Sequence, residues 1–214
     1  DEILPLLDSR GIEIIDLPVM THPHDDHVGG MDEVVEGIPV QTAWENGEQT
    51  GGQYWDYVDA RQAAHVGWSI PPQDSHRLFG DVDLWVLNRE EGYPAENNDS
   101  LVIKMSYGDI DFLLTGDVEE EEQRDLVLDF GQALGSEVLK VPHHGSMHFV
   151  QAFLNLVAPR YAVISSGAGN PYGHPHLEAL EAYERLGAHI CRTDQLGNIS
   201  GRTDGHRLEL DCAP

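Results

Sequence analysis

The chain has little of several features that would define a class of function. Of its 214 residues only two are cysteine and only 7% are aromatic. Cys191 and Cys212 are too few for a disulfide framework or a cysteine-based metal site, although a single bridge between them is conceivable. No apolar run approaches the roughly 20 residues of a membrane-spanning helix. Because 40% of the residues are hydrophobic, we expect a globular domain with a sizeable core.

Positive charge is scarcer still. Lysine and arginine together number 12, aspartate and glutamate number 38, and the formal net charge is -26. The acidic residues are spread along the chain instead of forming a tail. Such a surface repels nucleic acids and anionic membranes at moderate salt. The composition predicts a halophilic source, where molar salt shortens the Debye length to about 3 Å. The alternative is an acidic protein of an ordinary cytoplasm with a non-anionic substrate.

Local patterns predict alternating helices and strands. Predicted helices cover Glu2–Arg10, Met31–Glu36, Gln53–Ala64, Glu119–Phe130, Phe149–Val157 and Leu177–Leu186. Predicted strands cover Ile12–Val19, Val82–Leu87, Leu101–Tyr107, Ile110–Thr115, Val138–Val141 and Tyr161–Ser165, followed by short antiparallel strands over His189–Leu210. The order predicts a mixed α/β sandwich and not a purely parallel, doubly wound sheet.

Two details of this assignment bear on packing and on the substrate. In the helix over Gln53–Ala64, the spacing places Trp55, Val58 and Gln62 on one face. The irregular stretches Trp68–Gly80 and Arg89–Asp99 are the expected substrate-facing loops.

The most informative segment is rich in histidine and aspartate and reads THPHDDH over positions 21–27. Alternation places His22 and His24 on one side of an extended segment, so that both can bind one ion. Asp26 and His27 follow in the turn and can reach a second ion. Imidazole and carboxylate are ligands of borderline metals such as zinc and manganese. The segment therefore predicts part of a hydrolytic site with two ions about 3.5–4 Å apart; the alternative is a polar surface loop.

Three more polar clusters follow predicted strands. Asp117 ends the buried run of FLLTGD and can bridge two metals, or it can cap the next helix, since Glu120 lies in capping-box register. His143 and His144 follow the next strand. A loop rich in glycine and proline then presents His174 and His176. The alternative for His176 is that it has no functional role and only precedes the next helix. No G-x-S-x-G motif surrounds Ser146 or Ser165, which argues against a serine hydrolase.

These motifs together resemble a known family. The pattern at positions 22–27 is similar to the H-x-H-x-D-H signature of the metallo-β-lactamase superfamily, and Asp117 in LLTGD matches its bridging aspartate. NNDSLVIK, FLLTGD, LKVPHHGS and NPYGHPH occur in the order seen in the C-terminal hydrolase domain of ComEC-type competence proteins. The resemblance runs from about Ile12 to about Asn198.

The resemblance implies an α/β fold, the αββα metallo-β-lactamase-like sandwich, with the metals at one edge. The family normally begins with a strand carrying a G-Q-G-D-like motif, which is absent here. We therefore expect a single domain over residues 1–214 that lacks the N-terminal strands of the family or diverges in them.

The resemblance also assigns roles residue by residue. His22 and His24 would bind one ion, Asp26 and His27 the other, and Asp117 would lie between the two.

Further residues receive roles on the same basis. Either His143 or His144 would complete the metal site, and the sequence leaves both open. The predicted catalytic residues are Asp26 and His174, with His174 donating a proton to the leaving oxygen. The predicted substrate-binding residues are Asn97, Asn98 and Ser146, and the asparagines occupy roughly the position of a further histidine ligand of the superfamily.

The predicted function is a metal-dependent hydrolase with a dinuclear zinc or manganese site. Its expected substrate is DNA or another phosphodiester, which makes it a phosphodiesterase or nuclease. The alternatives are a lactonase, thioesterase or other acyl hydrolase of the same fold, and a degenerate binding domain without activity. We expect a soluble domain without a membrane span or an evident protein partner, either cytoplasmic or exported as part of a larger competence-type protein.

Overall fold

The computed structural model of the chain describes residues 3–88 and 96–212. The chain divides into two compact units, Asp1–Pro71 and Pro72–Pro214. Among the described residues, every helix is too short or too polar to cross a lipid bilayer.

Over its described residues, the first unit contains a small parallel sheet and four helices. The strands pair in the order β1, β2, β3. They are β1 (Val19–Met20), β2 (Thr42–Glu45) and β3 (Gly67–Ser69), and the helices are α1 (Ile3–Ser9), α2 (Asp25–Val28), α3 (Met31–Gly37) and α4 (Gly52–Ala63). A buried cluster that includes Met20, Val28, Val35 and Tyr57 forms the core of this unit.

The predicted strand over Ile12–Val19 is wrong for most of its length. Only Val19 and Met20 belong to a strand, and before them a single bridge joins Ile15 to Val40. Pro18 has no backbone N–H and so cannot donate a hydrogen bond to a neighbouring strand. Its carbonyl oxygen accepts a hydrogen bond from the N–H of Trp44 at 3.1 Å. An apolar run without a continuous partner strand therefore remains irregular.

The predicted face of α4 is only partly buried. Trp55 and Gln62 are exposed, whereas Tyr57 and Arg61 point inward. Their common partner is Glu45, a fully buried carboxylate at the end of β2. The hydroxyl of Tyr57 donates to Glu45 Oε1 at 3.1 Å, and the Nε of Arg61 lies 3.1 Å from the same oxygen. Burial raises the pKa of Glu45, and the charge of Arg61 opposes this rise.

The second unit is built on a seven-stranded mixed sheet with the order β10-β9-β8-β7-β6-β5-β4. Strands β4 to β7 are antiparallel neighbours, and β7 to β10 are parallel. The strands are β4 (His76–Phe79), β5 (Val82–Val86), β6 (Ile103–Tyr107), β7 (Ile110–Leu114), β8 (Val138–Lys140), β9 (Tyr161–Ile164) and β10 (His189–Arg192). This mixture confirms the predicted hairpin and the predicted mixed α/β class.

Helices and a separate hairpin complete this unit. The helices are α5 (Glu120–Phe130), α6 (Gln151–Val157), α7 (Leu177–Arg185) and α8 (Thr193–Leu196), with 3-10 turns at Glu96–Asp99, Gly131–Leu134 and Pro142–Gly145; the hairpin joins β11 (Gly201–Thr203) to β12 (Leu208–Leu210). The core packs Leu113 and Leu139 of the sheet against Leu126, Phe153 and Tyr183 of the helices. Each such side chain contributes about 1.5–3 kcal/mol on burial.

Three predictions for this unit need correction or limits. The tail is not wholly antiparallel, because β10 pairs with β9 in parallel after α7 returns the chain to the same end of the sheet. The stretch Trp68–Gly80, predicted as a loop, contains part of β3 and all of β4. Much of the other predicted loop, residues 89–95, lies outside the described residues.

A disulfide joins Cys191 to Cys212, with their Cα atoms 5.5 Å apart.

The parallel part of the sheet positions the polar loops of this unit. Residues Leu114, Lys140 and Val163 are paired across β7, β8 and β9, so these three strands end close to one another. The loops that leave their carboxyl ends carry the aspartate and histidine motifs. Loops at this end of parallel strands are the usual location of ligand sites in α/β sheets.

Candidate metal centre

The THPHDDH segment of the first unit folds into a compact turn with converging rings. His24 is the extended residue directly before α2, and the buried His22 lies two positions earlier. The Nε2 of His22 lies 3.0 Å from the Nδ1 of His24, and the ring centroids of His22 and His27 are 4.1 Å apart. The hydroxyl oxygen of Thr21 lies 3.2 Å from the Nδ1 of His22 and 3.3 Å from that of His27, so one side chain holds both rings.

The spacing of the His22 and His24 nitrogens suits a shared ion. Two nitrogens bound tetrahedrally at about 2.0–2.1 Å are roughly 3.3 Å apart, close to the 3.0 Å observed here. Asp26 is more exposed, and its carboxylate lies 3.8 Å from the Nε2 of His27. The segment thus holds three imidazoles and two carboxylates, which have the donor chemistry of a zinc or manganese site.

Glycine at position 29 allows this turn to close tightly. A Cβ on Gly29 would clash with the backbone carbonyl oxygen of Asp25 and would also meet the Oε1 of Gln53, near the start of α4. The Gln53 side chain can move aside, but the backbone of Asp25 cannot, so a larger residue would distort the turn.

Asp117 and His144 form the central pair of the second unit. Asp117 is almost fully buried, and its Oδ2 lies 3.1 Å from the Nε2 of His144. The other ring nitrogen of His144, Nδ1, donates to the carbonyl of Ser165 at 2.7 Å. Metal-binding histidines commonly fix their orientation by such a bond to a carbonyl. Burial lowers the pKa of His144, but the hydrogen bond and the charge of Asp117 outweigh it, and the net shift is upward.

The alternative interpretation of Asp117 as a helix cap does not hold. Helix α5 begins at Glu120, its cap position is Glu119 and not Asp117, and the side chain of Glu119 makes no capping hydrogen bond. Asp117 points instead towards the histidine loop.

The histidine loop has an unusual backbone. His143 and His144 have φ values of 44° and 53°, in the left-handed region, and Gly145 follows at 82°. Each such non-glycine residue costs of order 1–3 kcal/mol and persists only when its surroundings enforce it. The surroundings here include the N–H of His143, which donates to Gly116 at 3.3 Å, and the N–H of His176, which donates to Gly145 at 2.9 Å. Strain of this kind concentrates at functional sites.

The two adjacent histidines face different partners, and this distinguishes residues that the sequence could not tell apart. His144 faces Asp117, whereas the Nδ1 of His143 lies 2.9 Å from the Oε1 of Glu119. Glu119 was missed in the sequence, where its only signal is a second carboxylate two positions after Asp117.

The asparagine motif before β6 supports the aspartate loop. Asn98 is only 3% exposed, and its Oδ1 accepts the N–H of Glu119 at 2.6 Å. Ser100, also missed in the sequence, accepts the N–H of Asp117 at 3.1 Å, and the amide of Asn97 donates to the Glu119 carboxylate at 3.3 Å. These contacts hold the loop in place, which favours a positioning role over the predicted substrate contact.

Ser146, like the asparagines, makes a hydrogen bond that supports a loop. It is buried, and its hydroxyl accepts the N–H of His148 at 3.2 Å. Its observed contact therefore stabilises the turn after the two histidines.

His174 lies in a rigid loop beside the other histidines. Its backbone N–H and C=O are both bonded to the side chain of Asn170, at 3.0 Å and 2.6 Å. Its ring centroid is 5.3 Å from that of His143 and 6.1 Å from that of His144. Burial first, and then the neighbouring histidines His143 and His176, lower the pKa of His174 to about 4. The imidazole is therefore neutral at neutral pH.

Comparison with known proteins extends these observations. The family model of the metallo-beta-lactamase superfamily matches residues 7–168. The chain is 30% identical over 203 residues to ComE operon protein 3 of Bacillus subtilis, covering 94% of this chain and 26% of that protein. It is 34% identical over 199 residues to competence protein ComA of Neisseria gonorrhoeae, covering 92% and 26%. The chain thus spans about a quarter of the length of these relatives.

A solved structure gives the same fold. The metallo-beta-lactamase fold protein YhfI from Bacillus subtilis matches with a TM-score of 0.53 and 9% identity, over 83% of this chain and 73% of that one. The family match and this neighbour confirm the predicted αββα metallo-β-lactamase-like sandwich, and the relatives confirm the resemblance to competence proteins of the ComEC type. With three quarters of its length matched by the family model, the chain belongs to the metallo-β-lactamase superfamily.

Proposed function

We propose that the protein is a metal-dependent phosphodiesterase that acts on DNA through two divalent ions, zinc or manganese. The observation that carries the proposal is the spacing of donor pairs in each unit. The nitrogens of His22 and His24 are 3.0 Å apart, and Asp117 Oδ2 and His144 Nε2 are 3.1 Å apart. Both distances suit two ligands of one ion.

The two sets of ligands lie in different units, and the superfamily pattern is what joins them in this proposal. His22 and His24 would hold one ion, Asp26 and His27 would hold the other, and Asp117 would serve both. His144 is the preferred candidate to complete the site, because its Nδ1 donates to a carbonyl and its Nε2 faces Asp117.

His143 has a different place in this proposal. Its Nδ1 is turned towards Glu119, at 2.9 Å, and its ring lies beside His174. We assign His143 to orienting the substrate next to His174, with Glu119 holding its ring.

Divalent ions, when bound, supply Lewis acidity and a nucleophile at neutral pH. We assign to His174 the donation of a proton to the leaving oxygen. Because its pKa is lowered to about 4, it is neutral before substrate arrives. The negative charge of a bound phosphodiester raises the pKa of a nearby imidazole, so His174 can take up a proton and pass it to the leaving oxygen.

DNA as the substrate is supported by the names of the relatives and not by surface charge. One matching relative is named competence protein ComA, and another is named ComE operon protein 3. The net charge of -26 opposes binding of a polyanion at low salt. High salt screens this repulsion. DNA as the substrate is therefore consistent with the halophilic source that the composition predicts.

Turnover of bis-p-nitrophenyl phosphate by the reconstituted protein tests the proposal. The wild type, loaded with zinc or manganese, should hydrolyse it, and Asp26→Ala and His144→Ala should abolish the activity. The control is His206→Ala. His206 is an exposed histidine in the turn between β11 and β12, and it pairs with Asp109 in the turn between β6 and β7. Equal rates in all four proteins, or no turnover by the loaded wild type, would refute a phosphodiesterase at this site.

A second candidate function has one observation in its favour. Met147, Tyr172 and Leu177 are exposed apolar side chains on or beside the histidine loops, and such a rim would also suit an acyl chain. A lactonase or thioesterase would use the same metal ligands. If the loaded wild type hydrolyses lactones or thioesters and leaves phosphodiesters intact, this candidate replaces the first.

A further inference from the structure

One stretch of this acidic chain contains no acidic residue. Between Glu137 and Glu178 lie 40 residues without aspartate or glutamate, although the remaining 174 residues contain all 38. The stretch carries two cations, Lys140 and Arg160, and five of the 12 histidines. An even distribution would have placed about seven acidic residues here, so this part of the protein departs from the rest.

The acid-free stretch holds both histidine loops of the second unit, and these loops are tied together. The N–H of Met147 donates to the Nδ1 of His176 at 3.1 Å, and the N–H of His176 donates to the carbonyl of Gly145 at 2.9 Å. A Cβ added to Gly145 would lie 2.6 Å from the ring of Pro175, which shows how closely the loops approach. They form one preorganised surface.

Three apolar side chains are exposed on this surface. Tyr172 is 75% exposed, and Met147 and Leu177 are also exposed. The ring of Tyr172 lies over that of His174, with an interplanar angle of 25° and a centroid distance of 6.0 Å. We call these three residues the Tyr172 rim. It presents a flat aromatic face directly beside the proposed proton donor.

The acidic groups that border this surface are mostly engaged. Glu119 lies 2.9 Å from His143, and Glu120 lies 3.9 Å from His148. Glu178 follows in the first turn of α7. The surface therefore opposes an approaching polyanion less than the rest of the molecule does.

On this protein, affinity for a nucleic acid has to come largely from something other than positive charge. Phosphate contacts to lysine and arginine normally supply most of the affinity for nucleic acid, and a chain with 12 such residues and 38 acidic ones has little of it to offer. Stacking of bases on aromatic rings does not need positive charge. Only unpaired bases can expose a face to a side chain, because those of a duplex are already stacked.

We propose that the Tyr172 rim docks the unpaired bases of a single-stranded nucleic acid, so that the adjoining phosphodiester reaches the site next to His174. This inference rests on the proposed phosphodiesterase function and names its preferred substrate as a single strand. Tyr172 is the specificity-determining residue, because it supplies the stacking face.

Binding of matched oligonucleotides tests the proposal. The protein is the full chain carrying Asp26→Ala, in 1 M KCl with zinc present, so that the remaining ligands can hold metal while nothing is cleaved. The probes are a fluorescent 12-nucleotide thymidine strand, an abasic strand of the same length and charge, and a duplex. Since stacking is worth about 5- to 150-fold per base, the thymidine strand should bind at least about tenfold more tightly than the abasic strand or the duplex.

Variants then assign the preference to Tyr172. Tyr172→Ala should reduce binding of the thymidine strand to the level of the abasic strand, and Tyr172→Phe should retain most of it. Leu128→Ala, which changes an exposed apolar residue on α5, is the control and should bind like the parent. Equal binding of normal and abasic strands, tighter binding of the duplex, or no effect of Tyr172→Ala would each overturn the inference.

Failure of the proposed function would be seen separately. In that case the loaded wild type would not hydrolyse bis-p-nitrophenyl phosphate, whatever the binding data show. If hydrolysis occurs and the strand preference is absent, the function stands and the Tyr172 rim does not select single strands.

Discussion

Substitution of Asn98 by alanine separates a residue that holds the aspartate loop from one that contacts substrate. The side chain is 97% buried, and its Oδ1 accepts the N–H of Glu119 at 2.6 Å. Alanine leaves that N–H without its acceptor, which costs about 1–3 kcal/mol for a buried donor. In a protein of this size each kcal/mol lowers the melting temperature by about 2–4 °C. We therefore expect the melting temperature of Asn98→Ala to fall by roughly 2–12 °C.

Thermal unfolding of the metal-depleted protein, followed by circular dichroism, measures this change without contributions from bound ions. Asn155→Ala is the matched control, because Asn155 lies on the exposed side of α6 and bonds only to Gln151 among the contacts observed. Its stability should change by no more than about 0.5 kcal/mol. A normal melting temperature for Asn98→Ala, together with a raised KM, would refute the positioning role and restore the substrate contact predicted from the sequence.

Three further predictions follow from the charge, the histidines and the disulfide. The melting temperature should climb from low salt to about 1–2 M KCl, because cations screen the self-repulsion of the acidic surface; a flat or falling midpoint would reject the halophilic adaptation. His174→Ala should lower turnover by roughly 10²–10⁴-fold while the metal content is unchanged, as expected for proton transfer; loss of an ion would make His174 a ligand instead. Reduction of the Cys191–Cys212 bridge should destabilise the protein by about 2–4 kcal/mol in denaturant unfolding, and an unchanged midpoint would show that the bridge constrains little.

Elements defined by local patterns were predicted well. The hairpin of β6 and β7 follows from two alternating runs separated by Gly108 and Asp109, and helix α5 from its spacing of Leu126 and Phe130. Both depend on residues close in sequence, which is why a periodic pattern suffices.

Elements defined by distant partners were not predicted. The strand assigned to Ile12–Val19 lacked a continuous partner, which nothing within the segment reveals. The inward face of α4 is set by the buried carboxylate of Glu45, which attracts Tyr57 and Arg61 from across the unit. Such a network overrides the hydrophobic pattern of the helix itself.

The candidate site shows the same division. Motif resemblance picked out Asp117 and both histidines of the pair, but it could not tell His143 from His144. The difference lies in where each ring points, and that depends on two left-handed backbone conformations and on Glu119. Ser100 and Glu119 were missed because their roles exist only through contacts with loops that are distant in sequence.

The most direct test of the account is the metal content of the purified protein after reconstitution with zinc or manganese and removal of free ions. We predict up to two ions per chain in the wild type, with a clear loss in Asp117→Ala and none in His206→Ala. Less than about 0.2 ion per chain in the wild type with either metal would contradict the account.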